Sequence, residues 1–361
     1  MAQRCPLSKI EKSEKIIGFF TEIKMGKLLT VRDLVIKFYT FDGVIHAING
    51  MFFDLNEGET LAIVGESGSG KSVTMKSLLQ LLPSPPAKIE SGNAYFYRNG
   101  EKVDLLYLSE SEINKIRGKD IGFVFQDALS ALNPVLSIGR QITESLETHM
   151  ELDKKEAMER AIELLESVGI TGARQRLYAY PHQFSGGMRQ RAMIAIAIAC
   201  SPKIVIADEP TTALDVTIQA QILELFKEIQ KKMGMAIIWI THDLGVVARL
   251  ADRVMVMYAG QPVEVAPVEE LYENPIHPYT IGLLEALPKL GEKKKKLTSI
   301  EGTPPDMIEE PHFCQFASRC KFANEKCFKD NPPIISVGTD HYVRCFEDIK
   351  ERIKVQKVKT V

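Results

Sequence analysis

The chain has 361 residues, 45% of them hydrophobic and 25% charged, with a net charge of −2. This is the composition of a soluble globular protein long enough for two or three domains, and the near-neutral charge supplies no field that would gather nucleic acid. The longest apolar runs, Met193 to Cys200 and Met235 to Ile240, fall far short of the ~20 residues that span a bilayer, and the charged stretch Lys9 to Lys15 is no signal core, so export is not expected.

Residues 1–25 read as an N-terminal arm with one apolar turn, Ile16 to Phe20, and no assigned function. Alternation from Leu29 to Phe38 predicts a strand, Asp42-Gly43 a hairpin turn, and Ile45 to Leu55 the returning strand. Tyr39 and Phe41 stand near that turn, where an aromatic ring can stack on an adenine base; Tyr39 is the one assigned to the site.

Thr60 to Val64 is an apolar strand, and Val73 to Leu82 reads as a helix closed by Pro83. Between them lies Gly65-Glu66-Ser67-Gly68-Ser69-Gly70-Lys71-Ser72. Strand, G-x-x-x-x-G-K-[ST] and helix in that order make a phosphate-binding P-loop. The glycines let the backbone wrap around Ser67 and Ser69 with its N–H groups inward, an anion cradle at a helix N-terminus. Lys71 is placed for the β- and γ-phosphates, and the Ser72 hydroxyl for Mg²⁺, which prefers oxygen ligands.

Further on, Gly92 to Val103 reads as a hairpin turning at Asn99-Gly100, Ser111 to Arg117 as a short helix, and Ile121 to Phe125 as a strand ending at Gln126. The chain is then helical from 138 to 200: Ile138 to Met150, Lys154 to Val168 with its apolar face at helical period, then the stretch Tyr180 to Arg191 that contains Phe184-Ser185-Gly186-Gly187-Met188, followed by an alanine- and isoleucine-rich helix to Ala199. Ile204 to Ala207 is a buried-type strand ending in Asp208-Glu209, and acids at a strand's carboxyl end sit where α/β sheets keep their ligand chemistry. A loop, Thr211 to Asp215, leads to a helix, Gln219 to Met233, and a strand, Ala236 to Ile240, that ends in Thr241-His242-Asp243; Ala251 to Tyr258 and Gln261 to Val265 form a last strand pair around Gly260. The alternation calls for an α/β domain with a largely parallel sheet, an N-terminal antiparallel β layer and a helical insertion near 130–200.

From 28 to 265 these pieces resemble, in order, the nucleotide-binding subunits of ABC transporters: Walker A at 65–72, the Q-loop Gln126, the signature at 184–188, Walker B at 204–209, the D-loop at 212–215 and the switch His242. The signature has Met188 where the family commonly has glutamine, with its Ser-Gly-Gly core intact. The resemblance implies a P-loop NTPase (ABC ATPase) fold and an ATPase using ATP and Mg²⁺. It puts Ser72, Gln126 and Asp208 at the metal and makes Glu209 the general base for the attacking water. Gln126 would relay to the membrane partner and His242 would donate to the γ-phosphate. Ser185, Gly186 and Gly187 would serve the ATP on the opposite protomer, so two chains close around two nucleotides. A soluble ABC ATPase acting on nucleic acid or ribosomes is the competing reading, weakened by the single nucleotide-binding domain and the lack of a long coiled-coil insertion.

Residues 266–361 are expected to form a small C-terminal domain after the ABC domain of 26–265. They carry Asn274-Pro275-Ile276-His277-Pro278-Tyr279-Thr280, a lysine run at Lys293 to Lys296 that reads as a linker, and Cys314, Cys320, Cys327 and Cys345. With Glu66-Ser67 and Leu132-Asn133-Pro134, this tail is similar to the oligopeptide/dipeptide branch of ABC importers, to the D-type of its two ATPase subunits; nickel importers are the alternative within the branch. Four thiols at gaps of five, six and seventeen residues are more widely spaced than a typical zinc pair and are the usual complement of a [4Fe–4S] cluster, with Zn²⁺ and free or paired thiols as the alternatives. The implied partners are a second ATPase subunit (the same chain or an F-type paralogue), two membrane-spanning permease subunits and, indirectly, an extracytoplasmic peptide-binding protein, with no nucleic acid. The implied place is the cytoplasmic face of a prokaryotic cell membrane.

Overall fold

The computed structural model describes residues 26–98, 100–212, 214–287, 300–346 and 349. The arm at 1–25, Asn99 of the second hairpin turn and Lys293 to Lys296 lie outside the described residues. Two sheets organise the rest. In the first, β1 (Lys27–Thr40) and β2 (Gly43–Asn56) form the expected hairpin with Thr40 opposite Gly43. β4 (Ala87–Arg98) pairs with the other edge of β1, and β5 (Glu101–Asp104) with β4, so the order is β2-β1-β4-β5, all antiparallel.

The second sheet holds β3 (Thr60–Val64), β6 (Ile121–Val124), β7 (Ile204–Asp208), β8 (Ala236–Thr241), β9 (Arg253–Tyr258) and β10 (Gln261–Pro267). Every residue of β3, β7 and β8 is buried, which is why these strands are continuous apolar runs and not alternating ones. The strand order β9-β3-β8-β7-β6 is parallel throughout, and β10 pairs antiparallel with β9.

Helices pack where local chemistry starts and stops them. α1 (Lys71–Leu78) is shorter than its apolar pattern suggests, because Gln80 takes a left-handed conformation at φ 51° and turns the chain out of the helix. α2 (Ile138–Met150) and α3 (Lys154–Ser167) build the helical insertion, α3 opening on a capping box between Asp153 and Glu156. α4 (Gly186–Ala197) is capped by Ser185, and α5 (Val216–Met233) runs from an Asp215 cap to Gly234 in the left-handed region. One apolar core lies among these helices and the sheet, a second between the two sheets.

The C-terminal segment extends the second sheet. β12 (His341–Arg344) pairs with β10, and β11 (Ile334–Gly338) pairs with β12. The join is locked by Glu264, whose buried carboxylate accepts the backbone N–H of Ile276 (2.8 Å) and of His277 (3.0 Å) and meets His341 Nε2 at 2.8 Å. His277 in turn caps α6 (Pro278–Glu285), its Nδ1 accepting the Tyr279 N–H at 3.1 Å. Tyr279 and Phe316 enter a third core together with Val64, at the end of β3.

His277 is fully buried, and burial lowers its pKa from 6.5 to about 4, with Glu264 opposing. The unfolded histidine therefore takes up a proton between pH ~6.5 and ~4 while the folded one does not, and stability is lost on acidification through that window, by up to about 3 kcal/mol. His277→Asn keeps a capping acceptor without the titration. The thermal midpoint of this variant should fall less between pH 7 and pH 4.5 than that of the parent; parallel pH profiles would contradict the assignment.

Candidate functional site

Parallel register sets Val64 beside Thr241 and Asp208 beside Ile240. The carboxyl ends of β3, β7 and β8 therefore deliver the P-loop, the acidic pair and His242 to one edge of the sheet. An open cavity of about 410 Å³ lies there, with Ser67, Gly68, Gly70, Lys71 and Ser72 on one side and Gln126 and Glu209 on the other.

The P-loop's shape follows from its glycines. Gly65 has φ 156°, and a Cβ there would lie 2.3 Å from the Met257 carbonyl oxygen; Gly70 has φ 96°, and a Cβ would lie 2.5 Å from Ile48 Cδ1. Lys71 is buried, and its ammonium donates to the Gly65 and Glu66 carbonyls, both at 2.8 Å. Burial lowers its pKa, opposed by the Glu209, Asp208 and Glu66 carboxylates. The Ser72 hydroxyl donates to Asp208 Oδ1 at 2.7 Å. Burial raises the Asp208 pKa, opposed by that hydrogen bond. A carboxylate and a hydroxyl in contact, with Gln126 and Glu209 nearby, are oxygen donors of the kind that could hold Mg²⁺.

Glu209 Oε2 is a point of convergence. It accepts from Gln126 Nε2 at 3.2 Å and from the Thr212 hydroxyl at 2.8 Å, and lies 3.5 Å from His242 Nδ1. Its backbone is left-handed at φ 47°, with its N–H bonded to Ile240 O at 3.0 Å, the kind of local strain that persists where the surroundings over-determine it. Thr212 carries no signal in the sequence for this contact beyond its place in the loop after Walker B.

The structure does not bring every expected residue to this cavity. Ser185 caps α4 by accepting the Met188 N–H at 3.3 Å, and Ser185 and Gly186 are exposed. Neither Ser185, Gly186 nor Gly187 lines the cavity. Tyr39 does not line it either: its hydroxyl donates to Glu90 at 2.6 Å, and Phe38 and Ile45 supply the apolar wall. Plain alternation along β1 sets this facing: Phe38 lies on the side of the buried Ile36 and Tyr39 on the other, while the extra residue at the register shift between Ile36 and Phe38 belongs to β2. Phe41 is fully exposed at the hairpin tip. Met307, far along the chain, also lines the cavity, held by the His46 N–H bonding its carbonyl at 2.8 Å.

Cys314 packs with Cys320 against the core that contains Tyr279 and with Cys327 against Ala317 and Phe346, and Cys345 packs with Val343 and Ile349. Among the described residues no group of three or more His, Cys, Asp or Glu side chains is arranged to hold a metal ion, so the geometry does not carry the zinc or iron–sulfur expectation.

Residues 48–212 match the ABC transporter family, and residues 263–327 match the oligopeptide/dipeptide transporter C-terminal region. The chain is 53% identical to the oligopeptide transport ATP-binding protein OppD of Bacillus subtilis, over 89% of each chain. It is 50% identical to the dipeptide transport ATP-binding protein DppD of the same organism, over 89% of this chain and 95% of that one. Among solved structures it is similar to a dimeric ATP-binding cassette in a post-hydrolysis state bound to ADP and Pi (TM-score 0.59, 28% identity, 67% of this chain and 99% of that one). It is also similar to cbiO1 from Clostridium perfringens, part of an ABC transporter complex (TM-score 0.57, 30% identity, 69% of this chain and 92% of that one).

The glycines of the two loops make different demands. A Cβ at Gly186 would meet nothing within 4 Å, whereas Gly70 has neither the room nor the φ for one. Gly70→Ala is expected to cost roughly 1–3 kcal/mol of stability, and Gly186→Ala less than about 0.5 kcal/mol. Denaturant unfolding of both variants checks this; equal losses would contradict it.

Proposed function

The chain belongs to the ABC transporter ATP-binding subunits, and on that premise we propose that it hydrolyses ATP at the cavity above the P-loop to drive import of di- or oligopeptides. The convergence of Gln126, Thr212 and His242 on one oxygen of Glu209 is the observation that carries the chemistry. The peptide substrate rests on the identity with oligopeptide and dipeptide transport subunits and on the match of the C-terminal region.

In this reading the P-loop amides and Lys71 bind the triphosphate. Mg²⁺, held by Ser72 and Asp208 with Gln126 beside them, neutralises phosphate charge when bound. Glu209 accepts a proton from the water that attacks the γ-phosphorus as the bond to the ADP oxygen breaks, and His242 and Thr212 hold the carboxylate in place. Phe38 and Ile45 give the apolar wall, and the exposed Phe41, not the Glu90-bonded Tyr39, is the ring available to cover the adenine.

Ser185 to Gly187 serve a second copy. Support comes from an exposed helix N-terminus, a glycine that no neighbour within the chain requires, and the dimeric state of a similar cassette. The subunit docks peripherally on membrane-spanning partners at the cytoplasmic face of a prokaryotic cell. Leu129 and Val135, exposed just after Gln126, supply apolar surface for that contact, and among the described residues no helix is long and apolar enough to cross a membrane. For the thiol segment, cysteine number and spacing support an iron–sulfur cluster. About four irons and four sulfides per chain after anaerobic purification would support it; one zinc, or no metal, would remove it.

Glu209→Gln is the direct test of the chemistry. It should retain MgATP binding, lose turnover by at least ~10²-fold and accumulate an ATP-bound dimer, read by single-turnover hydrolysis and size-exclusion chromatography. Turnover within a few-fold of the parent would remove Glu209 as the base.

A further inference from the structure

The second residue of the P-loop is gripped from three directions, two of them by distant parts of the chain. The Glu66 carbonyl accepts from Lys71, and its N–H donates to the Tyr279 hydroxyl at 2.9 Å. Its carboxylate takes a two-pronged bond from Arg319, Nη1 to Oε2 at 2.9 Å and Nη2 to Oε1 at 3.0 Å. The Arg319 side chain is 4% exposed. Its remaining donors go to the Tyr258 hydroxyl (3.2 Å) and to the carbonyls of Glu301 (3.0 Å) and Ile300 (3.4 Å). A guanidinium with all its N–H groups directed has one geometry available, and so does the carboxylate it holds.

A carboxylate in a phosphate-binding loop is a liability, because it repels the triphosphate at short range. Glu66 is close enough to Lys71 for its charge to be felt there, yet its side chain does not line the nucleotide cavity. We infer that Arg319 is a positioning residue of the nucleotide site, holding the Glu66 carboxylate neutralised and out of the phosphate cradle. Arg319 stands on the turn Ala317–Arg319, immediately before Cys320. The C-terminal segment therefore sets the charge of the P-loop directly. This inference rests on reading residues 65–72 as the ATP site.

The test is MgATP affinity of the full chain, measured with a fluorescent ATP analogue, alongside thermal unfolding without nucleotide. Arg319→Gln leaves Glu66 unpaired beside the phosphates and should weaken binding about 10-fold. Adding Glu66→Gln in the same chain should restore affinity to within a few-fold of the parent, since the repelling charge is gone. Arg319→Lys, which keeps the charge and loses the fork, should fall between. Should Arg319→Gln not fold, Glu66→Asp, too short to reach the fork, should bind several-fold more weakly than Glu66→Gln. Unchanged affinity in Arg319→Gln, a loss that Glu66→Gln does not rescue, or equal affinity in Glu66→Asp and Glu66→Gln would each overturn the inference. Lys71→Ala separates the two readings: if it binds MgATP normally, the site assignment fails; if it loses binding while the Arg319 and Glu66 variants behave as the parent, only the inference fails.

Discussion

Parallel pairing of β3, β8 and β7 sets Val64 beside Thr241 and Asp208 beside Ile240, and the rest of the site depends on that register. Parallel strands end on the same edge of a sheet, so three separate stretches of sequence release their loops together. Burial of every residue in the three strands holds the register, because a slip would have to move side chains within a packed core. The cavity is the space those loops leave between them. The Glu209 carboxylate lies in its wall, reached from the end of β6 by Gln126, from its own loop by Thr212 and from the end of β8 by His242.

The C-terminal segment belongs to the same mechanical unit. β12 adds to β10 in the core sheet, and a buried Glu264 joins β10, the chain before α6 and β12 through three contacts. Breaking one partner of a buried pair of this kind leaves an uncompensated polar group and costs several kcal/mol, roughly 3–5 for an ion pair. From that base the segment reaches the site at three places: Met307 in the cavity wall, the Tyr279 hydroxyl on the Glu66 N–H, and Arg319 on the Glu66 carboxylate. The His-Pro-Tyr sequence thus has a physical account. His277 caps α6, proline opens the helix, and tyrosine bonds the P-loop backbone.

Much of this was legible in the sequence where the signal is local. Apolar runs mark β3, β7 and β8, helical periodicity marks α2 and α3, and the fixed spacing of the P-loop marks its chemistry, whereas α5 starts at Val216, three residues before the expected Gln219, because Asp215 caps it. What could not be read depends on long-range packing or on a single-residue change of facing. Phe38 and not Tyr39 lines the cavity because its face of the hairpin lies against the P-loop, a packing of one sheet on the other that no local propensity encodes. Glu66 meets partners 213 and 253 positions away. The strands of the cysteine-bearing segment lie on the core sheet, a placement that its proline and cysteine content does not encode.

If the P-loop and the C-terminal segment form one nucleotide-responsive unit, hydrogen–deuterium exchange of the full chain with and without MgATP will show it: nucleotide slows exchange at the P-loop amides and, in the same experiment, around Tyr279 and at the turn that carries Arg319. Protection confined to the P-loop and Walker B strand, with the C-terminal amides unmoved, would contradict it.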